Sequence, residues 1–198
     1  MALRWVRTID EAPHMFASRT EENADWLLYC GGWRVGRVHR PGGAQQRVLS
    51  WSLTGPHTLE APVERNGDAA TVEQAKERLI AALRAWAAWA GVRREGADAP
   101  RWVRRRDLAT RSFGPAYEDQ TDWVLVSGEF VVGRVHRPLV GPRHDPHWAL
   151  TGPRTPQAPL EQQGWADSVD DGKAKLFSAW CAWLRWAKLP VPDAPEAV

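Results

Sequence analysis

The sequence predicts an α+β protein of two tandem homologous repeats, each an antiparallel three- to four-stranded sheet with one C-terminal amphipathic helix packed on one face. Three observations predict it. First, laid so that Arg4 falls on Arg101, the chain aligns with itself without a gap, with about 38 identities over about 87 pairs. The segment from Val35 to Pro41 recurs unchanged from Val132 to Pro138, and the Leu53-Thr54-Gly55-Pro56 block recurs as Leu150-Thr151-Gly152-Pro153. Second, short β-rich segments bounded by Gly and Pro fill the first two thirds of each copy. Third, each copy ends in a long apolar stripe of helical period. The domain plan is a first repeat over 1–91, a basic Pro-containing linker over 92–100, a second repeat over 101–189 and a Pro-rich tail over 190–198.

The elements follow in order. Leu3 to Thr8 alternates as a first strand, and 100–105 repeats it. After a polar loop, 25–30 forms a strand and Gly31-Gly32 a tight turn, because glycine supplies the positive φ such turns need. Trp33 to Arg40 is the returning strand, with the less ideal Gly128-Glu129 turn in the second copy. Pro41 ends it, since proline cannot donate to a ladder. A variable loop follows, over 42–46 in the first copy and 139–146 in the second. Val48 to Thr54 is the last expected strand. The helix begins at an N-cap, Thr71 with Gln74 three residues on, or Ser168 in the second copy. Its stripe is Val72, Ala75, Leu79, Ala82, Leu83, Trp86 and Trp89 or Ala90. In the second copy it is Val169, Leu176, Ala179, Trp180, Trp183 and Ala187. Gly91 stops the first helix.

A repeat this small needs a dense core. The chain has 13 Trp, ten of them at five matched positions, and each can bury on the order of 200 Å². Most are therefore expected in the core. The net charge is +2, from 26 Lys+Arg and 24 Asp+Glu, which alone does not mark a nucleic-acid binder. The junction is the basic stretch, with Arg93, Arg94, Arg101, Arg104, Arg105 and Arg106 diluted by Glu95 and Asp98. Cys30 and Cys181 fall at non-equivalent positions, against a shared disulfide or metal site. Met1 to Arg4 leads into charge, and the longest apolar stretch, Leu79 to Ala90, is too short to span a bilayer and carries Arg84. A cytoplasmic chain with no membrane partner is expected.

Phosphate-binding glycine loops, His-Glu-x-x-His and paired Cys-x-x-Cys are absent from the sequence. No cofactor, metal or catalytic residue is assigned. His144-Asp145-Pro146-His147 holds metal-capable side chains, but Arg47-Val48-Leu49-Ser50 stands there in the first copy, so it reads as a polar loop. Candidate partner-binding residues come from the third strand. Simple alternation puts Trp33, Val35, Arg37 and His39 on one face, with Phe130, Val132, Arg134 and His136 as their counterparts. Arginine, histidine and an aromatic ring on one sheet face suit phosphates and bases; arginine also suits a nearby carboxylate. Gly36 and Gly133, in mid-strand, point to a bulge or a close backbone approach. The preceding strand is apolar on both sides, Trp26 and Leu28 against Leu27 and Tyr29, so its helix-free side is expected to be covered, by the other repeat, a second copy or a ligand.

Strands, a hairpin and a helix opening on Thr71, Ala75 and Lys76 resemble the sheet-plus-helix of the plant ethylene-response-factor type of DNA-binding domain. That resemblance implies a three-stranded sheet laying Trp33, Arg37, His39, Phe130, Arg134 and His136 on DNA. The Trp-rich helix and modest charge depart from its pattern. The chain is also similar to short bacterial proteins with a Val-Gly-Arg-Val hairpin and a Trp-ended helix, which implies no function. The expectation is a non-catalytic binding protein acting through its sheet faces on a protein partner or on itself. The alternative is a nucleic-acid binder using the Arg/His/aromatic strands and the basic junction, Arg104, Arg105 and Arg106 included. An enzyme working through His39 and His136 is the third class.

Overall fold

The computed structural model describes residues 1–11, 25–41, 48–55, 61–92, 99–108, 122–138, 144–152, 155 and 157–195. The variable loop at 42–46 and the junction residues Arg93, Arg94, Glu95 and Asp98 lie outside them. The chain divides into two compact units. The first comprises 1–88 with 186–189, and the second 89–185 with 190–198.

The first unit is a five-stranded antiparallel meander in the order β1-β2-β3-β4-β5. Its strands are β1 (Leu3–Arg7), β2 (Trp26–Cys30), β3 (Trp33–His39), β4 (Leu49–Leu53) and β5 (Asn66–Ala69), with a short α1 (Thr8–Glu11) after β1 and the long α2 (Val72–Trp89) after β5. The second unit contains β6 (Arg101–Arg104), β7 (Trp123–Ser127), β8 (Phe130–His136), β9 (His147–Leu150), β10 (Gln163–Trp165) and α3 (Val169–Trp186), its sheet running β10-β9-β8-β7-β6. The α+β class holds, but each sheet has five strands rather than three or four. The unforeseen ones are β5 and β10. Asn66-Gly67-Asp68 and Gln163-Gly164 carry turn-like composition and no alternation. They are strands because β4 and β9 offer an open ladder edge, as in Trp51 against Gly67 and Trp148 against Gly164.

The helices begin as their sequences specify. Thr71 Oγ1 accepts from the Gln74 amide at 3.1 Å, and Gln74 reaches back to the Ala70 amide at 2.9 Å. Ser168 and Asp171 make the same reciprocal pair, each bond 3.0 Å, so orphan amides of both first turns are satisfied. The inward stripe of α2 buries Ala75, Leu79, Ala82, Leu83 and Trp86; that of α3 buries Leu176, Trp180, Trp183 and Leu184. Tryptophan fills both cores, with Trp33, Trp51, Trp86, Trp180 and Trp183 fully buried. Trp33 meets Trp86 at 5.3 Å, and Trp180 stacks on Trp183 at 5.2 Å. One lysine anchors each helix start. Lys76 Nζ lies 3.5 Å from the Trp26 ring centroid, and Lys173 Nζ 3.6 Å from that of Trp123. Each ammonium thus exchanges water for an indole face, and burial lowers both lysine pKa values.

In the β2–β3 and β7–β8 hairpins only Gly31 (φ 57°) and Gly128 (φ 55°) have positive φ. Backbone conformation therefore requires glycine at the first turn position alone; at the second, Gly32 is held by space, since a Cβ there would lie 2.3 Å from Trp186 Nε1, whereas Glu129 stands there in the second copy.

Candidate functional site

A β-bulge decides which residues share a face. In the β2–β3 ladder Leu28 pairs with Gly36 and Tyr29 with Arg34, so Val35 is an extra residue. The β7–β8 ladder repeats this, Leu125 with Gly133 and Val126 with Val131, leaving Val132 extra. The extra residue reverses the alternation. Trp33 therefore faces α2 and Phe130 faces α3, where Phe130 meets Trp180 at 5.9 Å. Both are buried, at 1% and 0% exposure. The expected grouping of Trp33 with Arg37 and His39, and of Phe130 with Arg134 and His136, is corrected accordingly. The aromatic ring belongs to the core and the Arg/His pair to the helix-free face.

The glycine in each bulge is also explained. A Cβ on Gly36 would lie 2.3 Å from the Ser52 carbonyl oxygen and 2.8 Å from Leu79 Cδ1. Gly133 stands likewise 2.4 Å from the Ala149 carbonyl oxygen and 2.7 Å from Leu176 Cδ1.

On the helix-free face of the first unit the ladders set three cross-strand rows. They are Arg4, Tyr29 and Arg34; Val6, Leu27, Arg37, Ser52 and Asn66; and His39, Ser50 and Asp68. Arg37 is fixed in the middle row by Asp25, the residue before β2. Its Nε donates to Oδ1 at 2.8 Å and its Nη2 donates to Oδ2. Thr8 adds a hydroxyl bond to Asp25 at 2.6 Å. The ion pair raises the pKa of Arg37. The second unit repeats the pair, with Arg134 donating to Asp122 at 2.7 and 2.6 Å. The carboxylate partner suggested for this arginine by its charge is therefore a fixed feature of both units, made of the Asp that opens each Asp-Trp strand.

Around Arg37 the face opens into a concavity of about 440 Å³, lined by Thr8, Glu11, Leu27, Arg34, Arg37, His39, Ser52 and Thr54 among others. Glu11 accepts from the Tyr29 hydroxyl at 2.5 Å, and burial, then Glu11, pushes the tyrosine pKa up to about 12. His39 is held below the ordinary imidazole range, by burial first and then by Arg37, so it is neutral at pH 7. Its Nδ1 has no hydrogen-bond partner among the described residues. Unfolded chain therefore binds the His39 proton more tightly than folded chain, so stability is held above the ordinary pKa and lost as pH falls through the folded one. The fall in Tm between pH 7 and pH 5 is expected to shrink in His39→Gln; an unchanged fall would refute this assignment.

The matching face of the second unit keeps Arg134 and His136 but changes their surroundings. Its rows are Arg101, Val126 and Val131; Val103, Val124, Arg134, Ala149 and Gln163; and His136, His147 and Trp165. Tyr29, Arg34 and Ser52 thus become Val126, Val131 and Ala149. His147 lies between His136, at 5.8 Å, and Trp165, at 5.0 Å, as edge-on rings. Trp165 is 40% exposed. It escaped the sequence reading, although an unmatched tryptophan opposite Asp68 in a polar segment was its signal.

Of the expected basic junction, Arg93 and Arg94 lie outside the described residues, Arg101 is exposed, and Arg104, Arg105 and Arg106 differ among themselves. Arg104 stacks over Trp123 at 3.8 Å, and Arg105 is 5% exposed with Nη1 on the Leu108 carbonyl. Of the three, Arg106 alone is exposed. The tight turn over Arg105–Asp107 causes this by rotating successive side chains to different sides.

Protein-family models, curated proteins and solved structures all return no match to this chain. Function must therefore follow from the site's own geometry and chemistry. Among the described residues no group of three or more His, Cys, Asp or Glu is placed to hold a metal ion, and no helix is long and apolar enough to cross a membrane. Cys30 and Cys181 are buried, and burial raises both thiol pKa values, away from nucleophilic use.

Proposed function

We propose that this chain is a non-catalytic binding protein whose recognition surface is the helix-free sheet face of the first unit, with a protein or a second copy of itself as partner. One observation carries this: a concavity on that face lined by the buried Leu27 together with polar side chains. The Asp25–Arg37 pair and the continuous five-strand ladder fix the positions of its lining. A preorganised, partly apolar hollow with a few fixed polar groups is the usual form of a binding site.

The test combines sedimentation velocity over a concentration series with selection of displayed peptides on the immobilised full chain. Self-association or a selected peptide is expected to weaken at least about tenfold in Ser52→Trp, which fills the hollow, and to be unchanged in Ala149→Ser. Near-physiological salt should alter it little. Absence of self-association together with absence of any peptide sensitive to Ser52→Trp would overturn the proposal.

Nucleic acid holds second place on one observation, the exposed Trp165 beside His147 and His136. Against it stand the burial of Trp33, Phe130 and Arg105 and the engagement of Arg37 and Arg134 by carboxylates. Tryptophan anisotropy with pooled single- and double-stranded DNA and RNA decides this. Affinity that collapses with salt and disappears in Trp165→Ala would favour it.

A further inference from the structure

The hydrogen-bonding capacity left open in the first unit's concavity is dominated by donors. Arg34 is exposed and makes no hydrogen bond or ion pair among the described residues. Arg37 spends Nε and Nη2 on Asp25, which leaves Nη1 without a partner among the described residues. Ser52, across the ladder from Arg37, has a hydroxyl with no hydrogen-bond partner among the described residues. The opposing acceptor, Glu11, already takes the Tyr29 hydroxyl on one oxygen. Planar guanidinium groups with open N–H pairs match the oxygens of a carboxylate or phosphate. The second unit is an internal comparison. It keeps the arginine–aspartate framework but has Leu108, Val131 and Ala149 where the first has Glu11, Arg34 and Ser52.

We propose that the concavity of the first unit is an oxyanion site, taking a carboxylate or phosphate on Arg34 and Nη1 of Arg37 with Ser52 as a further donor, and that the second unit lacks it. This rests on the binding function above and names the chemistry of its ligand. Two sources present that chemistry: an acidic side chain of a protein partner, and a small free acid.

Succinate, inorganic phosphate and a blocked Gly-Glu-Gly peptide, with Gly-Gln-Gly as its neutral control, are titrated into the full chain. The readout is amide and arginine Nε–H NMR shifts. Saturable shifts are expected at Arg34, Arg37 and Ser52, with Val131, Arg134 and Ala149 unmoved. Arg34→Gln should weaken the response about tenfold, the loss of roughly one charge-assisted bond, while leaving the Tm and the remaining spectrum in place. Tighter binding of the Glu peptide than of the free acids assigns a protein source, and the reverse assigns a small acid; either supports the site. Linear drift without saturation, equal shifts in both units, or indifference to Arg34→Gln overturns it. If that happens while selected peptides still depend on Ser52, only the oxyanion chemistry falls; if Ser52-dependent binding is also missing, the binding function falls with it.

Discussion

Gly133→Ala is expected to lower the free energy of unfolding by about 3 kcal/mol, the upper end of overpacking costs. The added methyl would sit 2.4 Å from the Ala149 carbonyl oxygen. That oxygen is backbone in β9, whose ladder with β8 pairs Gly133 to Leu150 and Arg134 to Ala149. It cannot rotate aside, so relief requires the two strands to part. Leu176 Cδ1, at 2.7 Å, closes the other exit. The cost is steric, since Gly133 is not among the residues with positive φ. Gly36→Ala should behave alike against Ser52 and Leu79. Gly164→Ala is the control. Its methyl would meet the Glu161 carboxylate, which can swing away, and Nε1 of the buried Trp148 indole, each at 3.0 Å, so relief needs a shift of only a few tenths of an ångström rather than the parting of two strands. Its cost should stay below about 1 kcal/mol. Urea denaturation of the three variants is the measurement. Equal midpoints for Gly133→Ala and Gly164→Ala would show that the bulge tolerates a side chain.

Asp122→Ala is expected to cost about 3 kcal/mol, and Asp25→Ala about 2 kcal/mol. Both carboxylates are buried, at 2% and 6% exposure. Burying a charge is unfavourable unless it is paired, so the folded state depends on the arginine opposite. Removing one partner of such a pair costs about 3–5 kcal/mol when both are fully buried, because the other charge loses its compensation. The Arg134 side chain is 24% exposed and that of Arg37 38%. Water therefore recovers part of the loss, more for Arg37. The pair itself need not be a net stabiliser, so Asp122→Ala/Arg134→Met should regain most of what Asp122→Ala loses. Thermal and urea unfolding of the two singles and the double complete the cycle. A double variant no more stable than Asp122→Ala would assign the carboxylate a role beyond compensating Arg134.

Much of this molecule is set by local sequence. The stripes of α2 and α3, their Thr71 and Ser168 caps and the glycine at 31 and 128 act within a few residues, so periodicity and turn chemistry reveal them directly. The self-alignment likewise needs no coordinates. Other features arise only when strands pair. The bulge at Val35 and Val132 is a property of two strands in register, and it moved Trp33 and Phe130 from the expected surface into the cores. The strands β5 and β10 exist because β4 and β9 present an edge, whatever their own weak preference. Arg37 is bound by Asp25, which lies outside its strand, so its engagement became visible only in the folded chain. Sequence alone determined the repeated unit, its helices and its tight turns, because their causes are short-range. Tertiary structure decided which face each side chain occupies and where the polar concavity lies, because one unpaired residue in a ladder inverts everything that precedes it.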